Sequence, residues 1–161
     1  MALFCRDVDN GAGLIDRALA INPNLATGWQ LRAWVSVMLG EHEMALEQFA
    51  RAQLLSPIDP DTYASESGIG AANLFLGRYE EALKWTAKAL VQQPDWMIAQ
   101  RFLAAANALA GNIDEARRVM WRILQTDSVL RLSNFKTYAS VRRPADIETM
   151  LEGLRLAGLP E

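Results

Sequence analysis

Small and large apolar residues recur along this chain in a fixed relation to short polar turns. Ala33, Ala45, Ala52, Gly70, Ala82, Ala89, Ala104 and Ala116 are small, and small side chains let two paired helices approach closely. Trp29, Leu46, Phe49, Leu83, Trp85, Leu103 and Met120 are large and fill the gaps between successive pairs. One helical pair cannot bury its own apolar faces, so such pairs must stack. The polar punctuation reads G-E-H-E-M-A-L from Gly40, G-R-Y-E-E-A-L from Gly77 and G-N-I-D-E-A-R from Gly111. Glycine suits the left-handed position just past a helix C-terminus. The acids that follow complement the positive end of the next helix. This pattern predicts helices over 8–20, 25–39, 42–55, 60–76, 79–92, 95–110 and 113–126. Asn24 and Asp59 are placed as N-caps, and Pro60 falls at a first helical position. In the tail, residues 127–133 are expected to form a short turn of helix and 134–143 a loop. Pro144 then opens a last helix with Asp146 and Glu148 in its first turn. Ile147, Met150, Leu151 and Leu154 recur there at i, i+3, i+4 and i+7, an amphipathic stripe expected to cap the exposed end of the stack.

The punctuation has a period. Pro23 and Pro57 are 34 residues apart, and so are Gly77 and Gly111. Pro57 and Pro94 are 37 apart because Ile58-Asp59-Pro60 adds three residues. Trp29, Ala33, Gly40, Ala45, Phe49, Ala52 and Pro57 fit one unit of the tetratricopeptide pattern. Gly70, Gly77, Ala82, Ala89 and Pro94 fit the next, and Leu103, Ala104, Gly111 and Ala116 a third. The third departs at Ile123 and Ser128, where a small residue and a proline are usual. Gly11, Ile15, Ala18 and Pro23 look like the second helix of an earlier, truncated unit. The chain thus resembles the tetratricopeptide repeat (TPR) family over 8–128, with a half repeat at 8–23, repeats at 26–57, 63–94 and 97–128, and a tail at 129–161. The resemblance implies an all-α, TPR-like right-handed solenoid of antiparallel helix pairs with a C-terminal capping helix.

The tail carries a second, narrower resemblance. Leu-Ser-Pro-Ile-Asp-Pro at 55–60, Arg-Arg-Pro-Ala-Asp at 142–146 and Gly-Leu-Arg-Leu-Ala-Gly-Leu-Pro-Glu at 153–161 are similar to the C-terminal repeat region of bacterial class III adenylate/guanylate cyclases. Similar regions occur on some winged-helix transcription regulators, behind a catalytic or DNA-binding domain. Neither domain is recognisable here, and the chain starts inside a repeat. The expectation is a C-terminal piece of a longer protein, which an authentic start codon at Met1 would refute.

Composition narrows the function. The chain of 161 residues is 51% hydrophobic and 22% charged, which fits one ordered globular domain. Its net charge of −3 and pI near 5.2, with no Lys/Arg stripe, speak against a nucleic-acid binder. Cys5 is the one cysteine, so no internal disulfide can form, as suits a reducing compartment. The apolar runs are too short for a bilayer, and the N-terminus lacks the pattern of a signal peptide, so the expected location is cytoplasmic. Chemistry is sparse. His42, the single histidine, lies between Glu41 and Glu43 and is read as a solvated turn residue with no further metal ligands at helical spacing. Cys5 has no base partner and is read as a small buried or frayed-end residue. The pairs Glu80-Glu81 and Asp114-Glu115 are explained by helix starts. Ser67-Gly68-Ile69-Gly70 lacks the lysine and the preceding strand of a phosphate loop, so its glycines are read as close-packing positions. No catalytic residue, metal or cofactor is expected, and the chain is not read as an enzyme.

The resemblance implies a concave groove walled by the first helix of each unit. In register, that wall is Gln30, Trp34, Val37 and Met38, then Ser67, Ala71, Leu74 and Phe75, then Arg101, Ala105, Ala108 and Leu109. It is mostly apolar and suits a hydrophobic helix or extended segment of a protein or peptide partner. Some family members clamp a peptide carboxylate with Lys, Asn and Arg; only Arg101 is available for that here. Two alternatives stand beside the open groove. Trp34, Met38 and Phe75 pack on a neighbouring helix or on the last helix, or the chain forms a homodimer through its N-terminal edge, where Leu14 and Ile15 lack a partner helix. The function expected is that of an interaction scaffold; the alternative is a regulatory or dimerisation fragment of a nucleotide cyclase or transcription regulator.

Overall fold

The structure, a computed structural model, describes residues 8–138 and 141–161, together with all side chains of those residues except that of Tyr138. Cys5 lies outside them. The described residues form helices α1 (Val8–Ile21), α2 (Ala26–Leu39), α3 (His42–Leu55), α4 (Thr62–Phe75), α5 (Tyr79–Gln92), α6 (Met97–Leu109), α7 (Ile113–Thr126), α8 (Phe135–Tyr138) and α9 (Pro144–Leu156). Consecutive helices pack on one another from α1 to α7, and α2, α4 and α6 also touch in sequence. The result is the TPR-like solenoid of antiparallel pairs.

The glycine turns have one mechanism. Gly40 takes φ +85°, its N–H donates to Val37 O at 3.2 Å, and Glu41 N–H donates to Ser36 O at 2.8 Å. These two bonds satisfy carbonyls that the helix end leaves without partners, and only glycine reaches this φ without steric cost. The same pair of bonds recurs after α4 and α6, at Gly77 and Gly111. That local chemistry fixes where α3, α5 and α7 begin, and their bounds coincide with the sequence reading.

At the other junctions the helices start later than the sequence suggested, α2 by one residue and α4 and α6 by two. Neither Asn24 nor Asp59 caps a helix. Asn22 Oδ1 accepts from Asn24 N–H at 3.1 Å, and Asp59 Oδ1 accepts from Asp61 N–H at 2.8 Å. Asn22 and Asp59 thus spend their side chains on Asx turns ahead of the helices. Pro60 consequently lies before α4, not in its first turn.

The core is continuous from Ala33 to Leu159 and includes the fully buried Phe49, Leu74, Met120, Ile123, Leu130, Met150 and Leu154. Gly68 and Gly70 make its tightest seams. A Cβ on Gly68 would lie 2.1 Å from the Phe49 ring, and one on Gly70 2.5 Å from Thr86 Cγ2. A smaller cluster of Val8, Ile15, Val35 and Met38 joins α1 to α2. Ile15 therefore has a partner helix after all, while Leu14 stays 60% exposed.

The tail differs from expectation in one place: a short helix, α8, forms inside the predicted loop, and residues 127–133 make turns. Asn134 explains this. Its Oδ1 accepts from Arg131 N–H at 2.8 Å and its Nδ2 donates to Val129 O at 2.7 Å, while Phe135 is buried beside Leu130 and Leu132. A side chain that closes the preceding turn starts the helix just after it.

Candidate functional site

The face of α6 that carries Ala105, expected to wall the groove, is occupied by α9. Ala105 faces Gly153 so closely that a Cβ on the glycine would lie 2.7 Å from Ala105 Cβ and 3.1 Å from Ala105 O. The buried side of α9 is Asp146, Met150, Gly153 and Leu154, continued by Ala157. This is the expected stripe rotated by one position. Ile147 and Leu151 are half-buried, and the i−4 neighbour of Met150 inside the protein is a carboxylate.

That carboxylate meets His42. The side chains of His42 and Asp146 are 2% and 3% exposed, and Nε2 lies 3.0 Å from Oδ2, an ion-pair distance without hydrogen-bond alignment. His42 is therefore not a solvated turn residue. Its imidazole stacks on Phe75 with centroids 5.1 Å apart at 30°, and Phe75 in turn meets Phe102 edge-on at 6.0 Å. Arg143 Nη1 approaches Asp146 Oδ1 at 3.9 Å from the exposed side. The segment leading into α9 is also held by its backbone, since Arg142 N–H donates to Met38 O at 3.0 Å. The Arg143 stem lies over Gly40. A polar latch at the α2–α3 turn and a small-residue contact on α6 thus seat α9 across the wall.

The residues expected to line the groove are distributed over several seams. Gln30 Nε2 donates to Ser65 Oγ at 2.9 Å and to Asp61 O at 3.3 Å, which ties α2 to α4. Trp34 is 7% exposed and meets Phe49 edge-on at 5.9 Å, its buried indole N–H having no hydrogen-bond partner among the described residues. Met38 is buried in the cluster with α1. Ser67 and Ala71 are buried inside α4's seams. Phe75 is half-buried between His42 and Phe102. Arg101 Nη2 bonds Asp127 Oδ2 at 2.9 Å, linking α6 to the end of α7. The partners of these side chains lie on several different helices of the stack. His42, expected in solvent, Asp146, expected only as a first-turn acid, and Gly153 are the ones that hold α9. The signal available for Asp146 is its spacing, four and eight residues before Met150 and Leu154.

Among the described residues no three ligating side chains converge, and no helix is long and apolar enough to cross a membrane.

No family model matches the chain. It is 28% identical over 105 residues to the small glutamine-rich tetratricopeptide repeat-containing protein 2 of Mycosarcoma maydis. That match covers 65% of this chain but only 29% of the relative, so the chain spans less than a third of that protein's length. The crystal structure of YrrB, described as a TPR protein with an unusual peptide-binding site, has a similar fold: TM-score 0.59 over 93% of this chain and 78% of that one, at 16% identity. The sequence match and the fold together support a tetratricopeptide repeat protein.

Proposed function

We propose that the chain is a non-catalytic interaction scaffold whose concave wall takes an amphipathic segment of a protein or peptide partner, in competition with its own α9. The observation that carries this reading is the seat itself. The wall already accepts a helix with a small residue over Ala105 and a carboxylate on His42. A partner helix with that spacing fits the same features. Phe75, whose ring stacks on His42, lies beside that seat. The fold-related YrrB, described as having a peptide-binding site, agrees with a binding role.

The test uses a labelled synthetic peptide of residues 143–158 and the full chain. Fluorescence anisotropy should show weak capture by wild type and stronger capture by Asp146→Ala, whose own α9 is loosened. A ligand that needs a minor open state binds in proportion to the population of that state. A gain of roughly 30-fold corresponds to about 2 kcal/mol in the latch. No capture by either protein would refute the reading.

A second reading concerns α1. Leu14 is 60% exposed and Ile21 is 87% exposed, on a helix that contacts the rest of the molecule through α2. These side chains favour a homodimer through this edge. Light scattering at increasing concentration tests it. A dimer abolished by Leu14→Glu/Ile21→Glu supports the edge, and a strict monomer rejects it.

A further inference from the structure

The solvent side of α7 departs from the same side of α3 and α5. Taking Ala45, Ala82 and Ala116 as equivalent, the next position is Leu46, then Leu83, then Arg117. The two leucines are partly buried against the core, whereas Arg117 is exposed. Five positions after each alanine stand Ala50, Ala87 and Trp121. All three are exposed, but only the last is large, and Trp121 is 64% exposed.

The charges differ in the same way. The lysines of α5 are engaged: Lys84 lies 3.4 Å from Glu81, and Lys88 lies 2.8 Å from Glu66 and 4.9 Å above the Trp85 ring. Their equivalents in α7, Arg118 and Arg122, share one carboxylate. Glu115 is 2.6 Å from Arg118 Nη1 and 3.9 Å from Arg122 Nη2. Arg117 has no ion pair among the described residues. Asp114, exposed in the first turn, is the other acid on this helix. Three guanidiniums, one indole and the single carboxylate of Glu115 therefore border a shallow depression of about 590 Å³, a local surplus of positive charge on a molecule whose net charge is −3.

We infer that this face of α7 is a docking site for an acidic peptide segment that carries an aromatic or large apolar side chain. Its carboxylates pair with Arg117, Arg118 and Arg122, and its apolar side chain covers the Trp121 indole. Guanidinium forks match carboxylates in a bidentate fashion, and arginine with tryptophan is the combination most enriched among residues that dominate binding energy. Size favours a peptide over a nucleic acid. The basic residues lie within six consecutive positions, about 8 Å along a helix axis. A nucleic-acid backbone would run past them onto an acidic molecule, whereas a few acidic residues match their extent. This surface is distinct from the wall that α9 occupies.

The test measures anisotropy of a fluorescein-labelled peptide Glu-Glu-Asp-Phe-Glu-Glu on the full chain. The expected results are binding that weakens with added salt, a loss of roughly 10-fold or more in Arg117→Glu/Arg122→Glu, and a loss of several-fold in Trp121→Ala. All three side chains are exposed, so circular dichroism of both variants should match wild type. Asp146→Ala should leave this affinity unchanged, which separates the site from the concave wall. The inference is overturned if the peptide does not bind. It is equally overturned if both variants bind like wild type, or if a ten-nucleotide oligothymidylate or phosphatidylserine vesicles bind the same face more tightly than the peptide.

Discussion

Removing the carboxylate of Asp146 should unseat α9 without unfolding the repeat stack. The pair with His42 is nearly inaccessible to water, at 2% and 3% side-chain exposure, and its approach is 3.0 Å. Truncating one partner of such a pair costs about 3–5 kcal/mol when it strands a buried charge. It costs about 1–3 kcal/mol when it strands a neutral polar group. The two substitutions therefore differ in a defined order. His42→Ala leaves the Asp146 carboxylate buried with only Arg143 at 3.9 Å and also removes the ring stacked on Phe75, so it falls at the upper range. Asp146→Ala strands only the polar edge of the buried imidazole, at about 2 kcal/mol. The cost should be local, because the helix–helix contacts of α9 fall mainly on α6 and α7, whereas α2 to α5 pack on one another.

Native-state hydrogen exchange resolves this. At about 2 kcal/mol, opening of α9 should become roughly 30-fold more frequent in Asp146→Ala, with amides of α4 and α5 unchanged. A double-mutant cycle over His42→Ala and Asp146→Ala should return a coupling above about 1 kcal/mol. Additive single effects, or exchange that accelerates uniformly over all helices, would refute the idea that the pair acts as a latch.

Two further perturbations probe the stack. Phe49→Ala empties a fully buried aromatic position whose ring fills the space left by Gly68, and should cost about 3–5 kcal/mol in urea denaturation. Glu66 is fully buried, with Lys88 at 2.8 Å and Gln92 Nε2 donating at 2.7 Å; Glu66→Ala should cost about 1–3 kcal/mol, read as a lower thermal midpoint, and less in Lys88→Ala, whose ammonium is exposed.

The parts of the fold that were legible in sequence are those set by short-range chemistry. A glycine that must take positive φ, followed by acids at the next helix start, places α3, α5 and α7 to the residue. Asp59 misled because the side-chain oxygen that caps a helix also closes an Asx turn, and Asn24 because the Asx turn ahead of α2 is closed by its neighbour Asn22. The site was harder to read. His42 sits between two glutamates, a context that argues for solvent, and the carboxylate that buries it comes from 104 positions further on. Nothing local to His42 carries that information. Asp146 had a weak signal, its place on the helical face of Met150 and Leu154, but an acid in a first turn is equally explained by the helix dipole. Trp34 and Met38 were correctly placed on α2, yet which neighbour covers them depends on α1 and α3 lying alongside, which residue types alone do not specify.

The fit of Phe49 into Gly68 bears on whether the units are interchangeable. Gly68 lies nine residues before its turn glycine, Gly77; the corresponding residue before Gly111 is Phe102, and before Gly40 it is Leu31. An aromatic ring where Phe49 now sits at 2.1 Å from the missing Cβ leaves no room for either. Moving the third unit into the second place, or duplicating the first, would bring two large side chains to one point in the interior. The second unit therefore carries an address as well as a shape: it fits behind the first because Gly68 leaves room for Phe49, and that much of the order along the chain is written into the side chains at the joint.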